Sequence, residues 1–185
     1  MTNISPTPTP ADVALLGLLA ERPMHAWEIV KQIEYRWMKT WTDLARSTVY
    51  KALDALEARG LVASSEAVVD GRNRRTYTLT ADGRKALAEG VAYHLATPEY
   101  PHWAIDIATY NVDAADPAEA IQALDEYEAT LRERAQGWAD LEDFLKADEG
   151  CPPHRWALSR RARAMIEGEL TWLAEFRADL ARGRS

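Results

Sequence analysis

Apolar residues fall at helical spacing through the first sixty positions, give way to two short β-prone runs, and return to helical spacing over the last hundred. Val13, Leu15, Leu16, Leu18 and Leu19 make one segment apolar almost all round, which predicts a buried helix starting near Pro10 to Asp12 and broken by Pro23. A second helix is expected from about Met24 to Trp37, where Ile29, Ile33 and Trp37 recur at four-residue steps. In RSTVYKALDALEARGLV, residues 46–62, the positions Val49, Ala52, Leu53 and Leu56 follow the i, i+3, i+4, i+7 rule and predict a third, amphipathic helix that Gly60 stops. LVASSEAVV and RTYTLT then read as strands around DGRNR, with Asp70-Gly71 as the turn signal. A fourth helix is expected from Thr80 or Ala81 to about Leu95.

Beyond TPEYPH, whose prolines break the pattern, WAIDIATYN reads as a short helix despite its β-branched residues. Asp116-Pro117 opens a long helix in which Leu124, Leu131, Trp138 and Leu145 recur at sevens, close to a heptad stripe. After Gly150 to Pro153, a second long helix carries Leu158, Ala162, Met165, Trp172, Phe176 and Leu180 along one side to about Leu180. These stripes form either an intramolecular core or a homodimer surface exchanged with a twin chain. The dimer candidates are Leu124, Leu131, Trp138, Leu145, Met165, Trp172, Phe176 and Leu180. The expected architecture is mainly α, an α+β winged helix: a Pro/Thr-rich disordered tail over 1–11, a winged helix-turn-helix domain with a two-stranded wing over 12–95, and a helical dimerisation and effector domain over 96–185.

Composition narrows the class. The 185 residues are 47% hydrophobic with seven tryptophans, enough for one ordinary core or two small ones. Cys151 is the only cysteine, so no intramolecular disulfide is possible, and a reducing cytoplasm fits. The apolar run from Ala14 to Ala20 is far short of a membrane span, and no basic stretch precedes it as in an export signal. Net charge is −7, yet residues 1–83 hold ten basic and ten acidic side chains, while Arg36 to Arg75 holds eight basic against five acidic. A local basic region on an acidic chain suits a polyanion partner, because the local field matters more than the total.

The third predicted helix carries the chemistry. At 100 degrees per residue, Ser47, Lys51, Asp54 and Ala58 point away from its apolar face, flanked by Thr48, Tyr50 and Ala55. Short hydroxyls, a phenol and an ammonium suit close approach to base edges and phosphates in the major groove of double-stranded DNA. Arg72, Arg74 and Arg75 near the hairpin tip would meet phosphates or the neighbouring minor groove. A plainer reading makes Ser47 a helix cap and the arginines a solvated turn. Asp54 would repel phosphate or accept a hydrogen bond from a cytosine amine.

The blocks LLGLLAERPMHAWEIVKQIE, ARSTVYKALDALEARGLV and GRNRRTYTLTADGRKAL, in this order from about Ala14 to Leu87, resemble those of PadR-family transcriptional regulators. The resemblance implies a dimeric winged-helix repressor released by a small ligand or stress signal, with phenolic acids and hydrophobic cations among the family's effectors. It puts Ser47, Thr48, Tyr50 and Lys51 on the recognition helix and Arg72, Arg74 and Arg75 on the wing; His25, Arg46 and Asn73 complete the candidate DNA-binding set. Where the family has Gly then Tyr after the Met-His pair, this chain has Ala26 and Trp27, and Trp27 reads as a core or interface residue. ELTWL, residues 169–173, is more loosely similar to the C-terminal dimerisation domain of the larger members.

Trp103, Trp138, Trp156 and Trp172 lie in the acidic second half and either line an effector pocket or fill core and interface. Cys151 and His154, three apart across two prolines, suggest a metal-responsive regulator as one alternative. A protein-binding winged helix without DNA affinity is another. No phosphate-binding loop, dinucleotide fingerprint or HExxH occurs, no orienting carboxylate can be named for Cys151, and neither enzyme activity nor a cofactor is expected.

Overall fold

The computed structural model describes residues 7–69 and 72–182, and the chain divides into two compact units, Met1–Tyr100 and Pro101–Ser185. The first contains α1 (Pro10–Glu21), β1 (Met24–His25), α2 (Ala26–Tyr35), α3 (Arg46–Ala58), β2 (Val62–Val69), β3 (Arg72–Leu79) and α4 (Ala81–Ala96). The second contains α5 (Ala104–Tyr110), α6 (Pro117–Lys146) and α7 (Pro153–Arg182). This is the mainly α winged-helix architecture with a helical C-terminal part.

Residues 8 to 11, expected within a disordered tail, belong to the fold. Thr9 caps α1 by accepting from the Asp12 N–H at 3.1 Å while Asp12 Oδ2 accepts from the Thr9 N–H at 3.0 Å, and Pro10 occupies the first turn. Pro8 is buried, its carbonyl 2.9 Å from His94 Nε2 on α4. Asp12 also takes Arg59 Nη1 at 2.8 Å, tying the start of α1 to the end of α3.

Leu15, Leu16, Leu18, Leu19, Ile29, Ile33, Val49, Leu53 and Leu56 from the three helices meet Leu61, just before β2, and Val62, Tyr77 and Leu79 from the sheet in one core. Each buried leucine or isoleucine there contributes about 1.5–3 kcal/mol relative to its exposed state. The sheet holds three strands in the order β1-β3-β2, one more than the expected two-stranded wing. β1 is two residues long, too short to leave a period in the sequence, and exists because Met24 and His25 pair antiparallel with Tyr77 and Thr76. α2 therefore starts at Ala26, not Met24, and it stops at Tyr35. Trp37 sits beyond it in the left-handed region (φ 54°) and is 59% exposed, so the expected Ile29–Ile33–Trp37 stripe ends at Ile33.

α3 ends in a glycine-dependent lock. Gly60 (φ 72°) lets its N–H reach the Glu57 carbonyl at 2.8 Å and the Leu61 N–H reach the Leu56 carbonyl at 2.9 Å, while Leu56 and Leu61 are both buried. The chain enters β2 from there. β2 and β3 pair along their whole length from Val62↔Leu79 to Val69↔Arg72, and the Asp70-Gly71 turn lies outside the described residues. In the second unit α6 and α7 are each 30 residues long, and Leu124, Leu131, Ile166 and Leu173 are buried. Glu142 is buried too, amid Lys146, Arg160 at 3.1 Å and Arg163 at 3.4 Å. Among the described residues no helix is long and apolar enough to cross a membrane.

Candidate nucleic-acid interface

α3 separates its two edges cleanly. Val49, Leu53 and Leu56 are fully buried, whereas Arg46, Ser47, Tyr50, Lys51 and Asp54 are exposed and Thr48 is half-buried. The core takes the apolar edge and thereby presents the polar one. The cap at the N-terminus is Ala45, with no side-chain cap hydrogen bond, so Ser47 is a second-position helical residue and not the cap. The Thr48 N–H donates to the Ala45 carbonyl at 3.0 Å, and the amides of Arg46 and Ser47 lie before it at the positive end of the helix dipole. Arg46 and Lys51 have no ion-pair partner among the described residues.

The wing arginines do not behave alike. Period-two alternation puts Arg75, Tyr77 and Leu79 on one face of β3, and Tyr77 and Leu79 are buried on the core side. Arg75 therefore leans over α3. Its Nε donates to Ser64 Oγ at 2.8 Å, its Nη1 lies 3.4 Å from Asp54 Oδ1, and its Nη2 donates to Glu57 Oε2. Ser64 Oγ in turn donates to Glu57 Oε1 at 2.5 Å, and the guanidinium lies 5.1 Å from the Tyr77 ring centre. This corrects the placement of Arg75 with the other two as a free tip residue. It also answers where the Asp54 carboxylate is engaged: on Arg75. Glu57 and Ser64 were missed because neither stands out in its segment; the alternation from Tyr77 back to Arg75 was the available signal. Arg74 falls on the opposite face of β3 and is half-buried; Arg72 and Asn73 begin the strand, their side chains outside the described part of the structure. Burial pushes the Tyr77 phenol up, against a smaller opposing pull from Arg75.

His25 stands beside this sheet. Its N–H donates to Glu28 Oε2 at 2.8 Å, which holds the Glu28 carboxyl below its usual range, and its Nδ1 lies 3.1 Å from the Arg75 carbonyl and 3.2 Å from Thr76 Oγ1. Its ring stacks with Trp27 at 6.4 Å, and Lys31 Nζ lies 4.7 Å from the Trp27 ring centre. Trp27 is 44% exposed, so it is not a core residue.

The second-half candidates divide. Leu124 and Leu131, expected on a dimer surface, are buried within the second unit, because one seam between two antiparallel helices can be closed without a partner. Trp138, Leu145, Trp172, Phe176 and Leu180 are half-buried, and Met165 is 42% exposed. Trp172 stacks with Phe176 at 5.4 Å, while Trp156 lies under Lys146 and Arg160, at 5.1 Å and 4.3 Å. Sixteen residues of one helix separate Trp156 from Trp172, about 24 Å at 1.5 Å per residue, so the four tryptophans do not line one pocket within a chain. Trp103 caps α5 and is exposed. Cys151 is free and half-buried between α6 and α7, His154 is exposed, and among the described residues no three His, Cys, Asp or Glu side chains group to hold a metal ion.

A three-helix core with a β-hairpin wing and a polar, outward edge on α3 defines a winged-helix fold. Residues 15–89 match the model of the PadR-like transcriptional regulator family. Over these residues the chain is similar to that family. Transcriptional regulator Rv3488 of Mycobacterium tuberculosis is 55% identical over 42 residues, 23% of this chain and 39% of that protein. This chain thus spans well under two thirds of that curated relative. Bacillus subtilis PadR in complex with operator DNA is similar in fold, with a TM-score of 0.76 at 17% identity over 91% of this chain and 98% of the other. The same protein in complex with p-coumaric acid gives 0.75 at 17% identity, over 92% and 98%.

Proposed function

We propose that this chain is a sequence-specific DNA-binding repressor that acts as a homodimer on a palindromic operator and is released by a small-molecule effector. The observation that carries the reading is the exposed edge of α3, where Arg46, Ser47, Tyr50 and Lys51 stand over the buried Val49, Leu53 and Leu56. Lys51 and Arg46 supply phosphate contacts, Ser47, Thr48 and Tyr50 reach base edges or sugar oxygens, and the uncapped amides of α3 receive a phosphate. His25, Arg72, Asn73 and Arg74 complete the DNA-binding set. Operator DNA bound to the Bacillus subtilis protein of like fold supports this reading.

Dimerisation is supported by apolar surface left uncovered in a single chain: Ile107, Phe144, Leu158 and Met165 in the second unit, and Val91, Tyr93 and Leu95 on α4. Two-fold symmetry places paired recognition helices about 34 Å apart, one turn of the duplex. An aromatic or phenolic effector is supported by p-coumaric acid in the Bacillus subtilis structure and by the aromatic side chains of α5 to α7. With one cysteine and no membrane-spanning helix among the described residues, the cytoplasm is the compartment that suits this work.

The test is fluorescence anisotropy of the purified protein against the upstream region of its own gene and selected genomic fragments, at several salt concentrations and without effector. Affinity should fall steeply with salt, by roughly 0.9 log units per decade for each neutralised phosphate. Absence of salt-dependent binding to every fragment would sink the repressor reading and favour a protein-binding winged helix.

A further inference from the structure

Where β3 crosses α3, two carboxylates of the helix meet one cation of the strand. Asp54 and Glu57 lie three residues apart on α3, so both carboxylates project from neighbouring turns of the recognition helix. A surface meant for phosphates should carry neither. Arg75 reaches both, and the third edge of its fork is taken by Ser64, which itself donates to Glu57. Tyr77 closes the remaining side of the guanidinium. The main chain of the same residue is fixed as well, its carbonyl 3.1 Å from His25 Nδ1. Three of the five guanidinium N–H donors are committed to two carboxylates and a hydroxyl, and the same two carboxylates repel a phosphate from the remaining two.

From this we infer that Arg75 is a positioning residue: it clips the wing strand β3 to the recognition helix α3 through Asp54, Glu57 and Ser64, setting the angle at which wing and helix meet the duplex, and does not itself contact phosphate. The inference rests on the DNA-binding reading above for its consequence, though the clip exists in the free protein. It also gives the two carboxylates a role, as the acceptors that hold the wing.

Charge and geometry make opposite predictions for two conservative variants. Arg75→Lys keeps the positive charge but loses the planar fork, and Glu57→Gln removes a negative charge near the DNA while weakening the clip. If Arg75 clips, both variants bind the operator fragment weaker by roughly fivefold or more, the scale of losing a charge-assisted hydrogen bond, and Arg75→Lys keeps the wild-type salt slope. Both must match the wild-type thermal midpoint within a few degrees and its circular dichroism, so that loss of fold is not mistaken for loss of position. Tighter binding by Glu57→Gln, or wild-type affinity in Arg75→Lys, overturns the proposal, since a phosphate contact would tolerate lysine and gain from a removed carboxylate. Should the wild type bind no fragment at all, the functional reading fails, and the clip is then judged in the free protein by amide hydrogen exchange. Faster exchange across residues 62–67 and 74–79 in Arg75→Lys upholds it; unchanged exchange overturns it.

Discussion

Replacing Lys51 with alanine tests the polar edge of α3 at an exposed charge. Lys51 sits on α3 one residue from Tyr50 and on the side opposite Val49 and Leu53, without an ion-pair partner among the described residues. Alanine is the best helix former, so the helix and its buried face should survive unchanged. If the ammonium neutralises one phosphate, its removal lowers the salt slope of log affinity by about 0.9. Between about 50 and 200 mM salt, roughly 0.6 of a decade, that amounts to about half a log unit, so the ratio of wild-type to variant affinity should shrink three- to fourfold across the range. The measurement is anisotropy on one operator fragment at four or more salt concentrations, with an unrelated duplex alongside. A phosphate contact weakens both duplexes alike. Unchanged affinity and slope would mean that α3 does not face DNA; a large loss on the operator alone with an unchanged slope would make Lys51 a base reader.

Other outcomes follow from the packing. In Gly83→Ala the new Cβ would lie 2.0 Å from the Leu61 carbonyl oxygen and 2.7 Å from Leu79 Cδ1, so α4 must back away from the wing, costing about 1–3 kcal/mol or more, read as a lower urea midpoint. Asp12→Ala removes the carboxylate half of the α1 capping box, leaving the Asp12 N–H to Thr9 Oγ1 bond, together with an ion-pair partner of Arg59, and should cost about 1–2 kcal/mol by the same assay. Tyr127 is pushed up to about 12, first by burial and then by its hydrogen bond to Glu169. A phenol raised in the folded state stabilises fully below its unfolded value near 10 and loses that contribution as pH rises towards about 12. One late component should therefore appear in the ultraviolet titration of the tyrosines and vanish in Tyr127→Phe; its persistence would refute the assignment.

What was legible in the sequence was whatever has a period. The buried edge of α3, the helix stop at Gly60, the two long helices and the start of α6 at Asp116-Pro117 all came from spacing and cap chemistry, because these depend on residues three to seven apart. The blocks from Ala14 to Leu87 brought the family resemblance with them. Tertiary structure alone decided the rest. β1 arises from pairing across some fifty positions, Met24 with Tyr77, and no local pattern encodes two residues. The early end of α2 at Tyr35 leaves Trp37 in a left-handed turn that helical spacing had counted as one more step. Leu124 and Leu131 looked like partner surface because a stripe does not say which helix will cover it. Arg75 makes the same point in charge: within GRNRR it is one of three equivalent cations, and only the register of β3 over α3 brings it to Asp54 and Glu57. Local sequence determines which residues share a face, since that follows from backbone periodicity; what each face meets depends on contacts between residues distant in the chain, which only the folded core brings together.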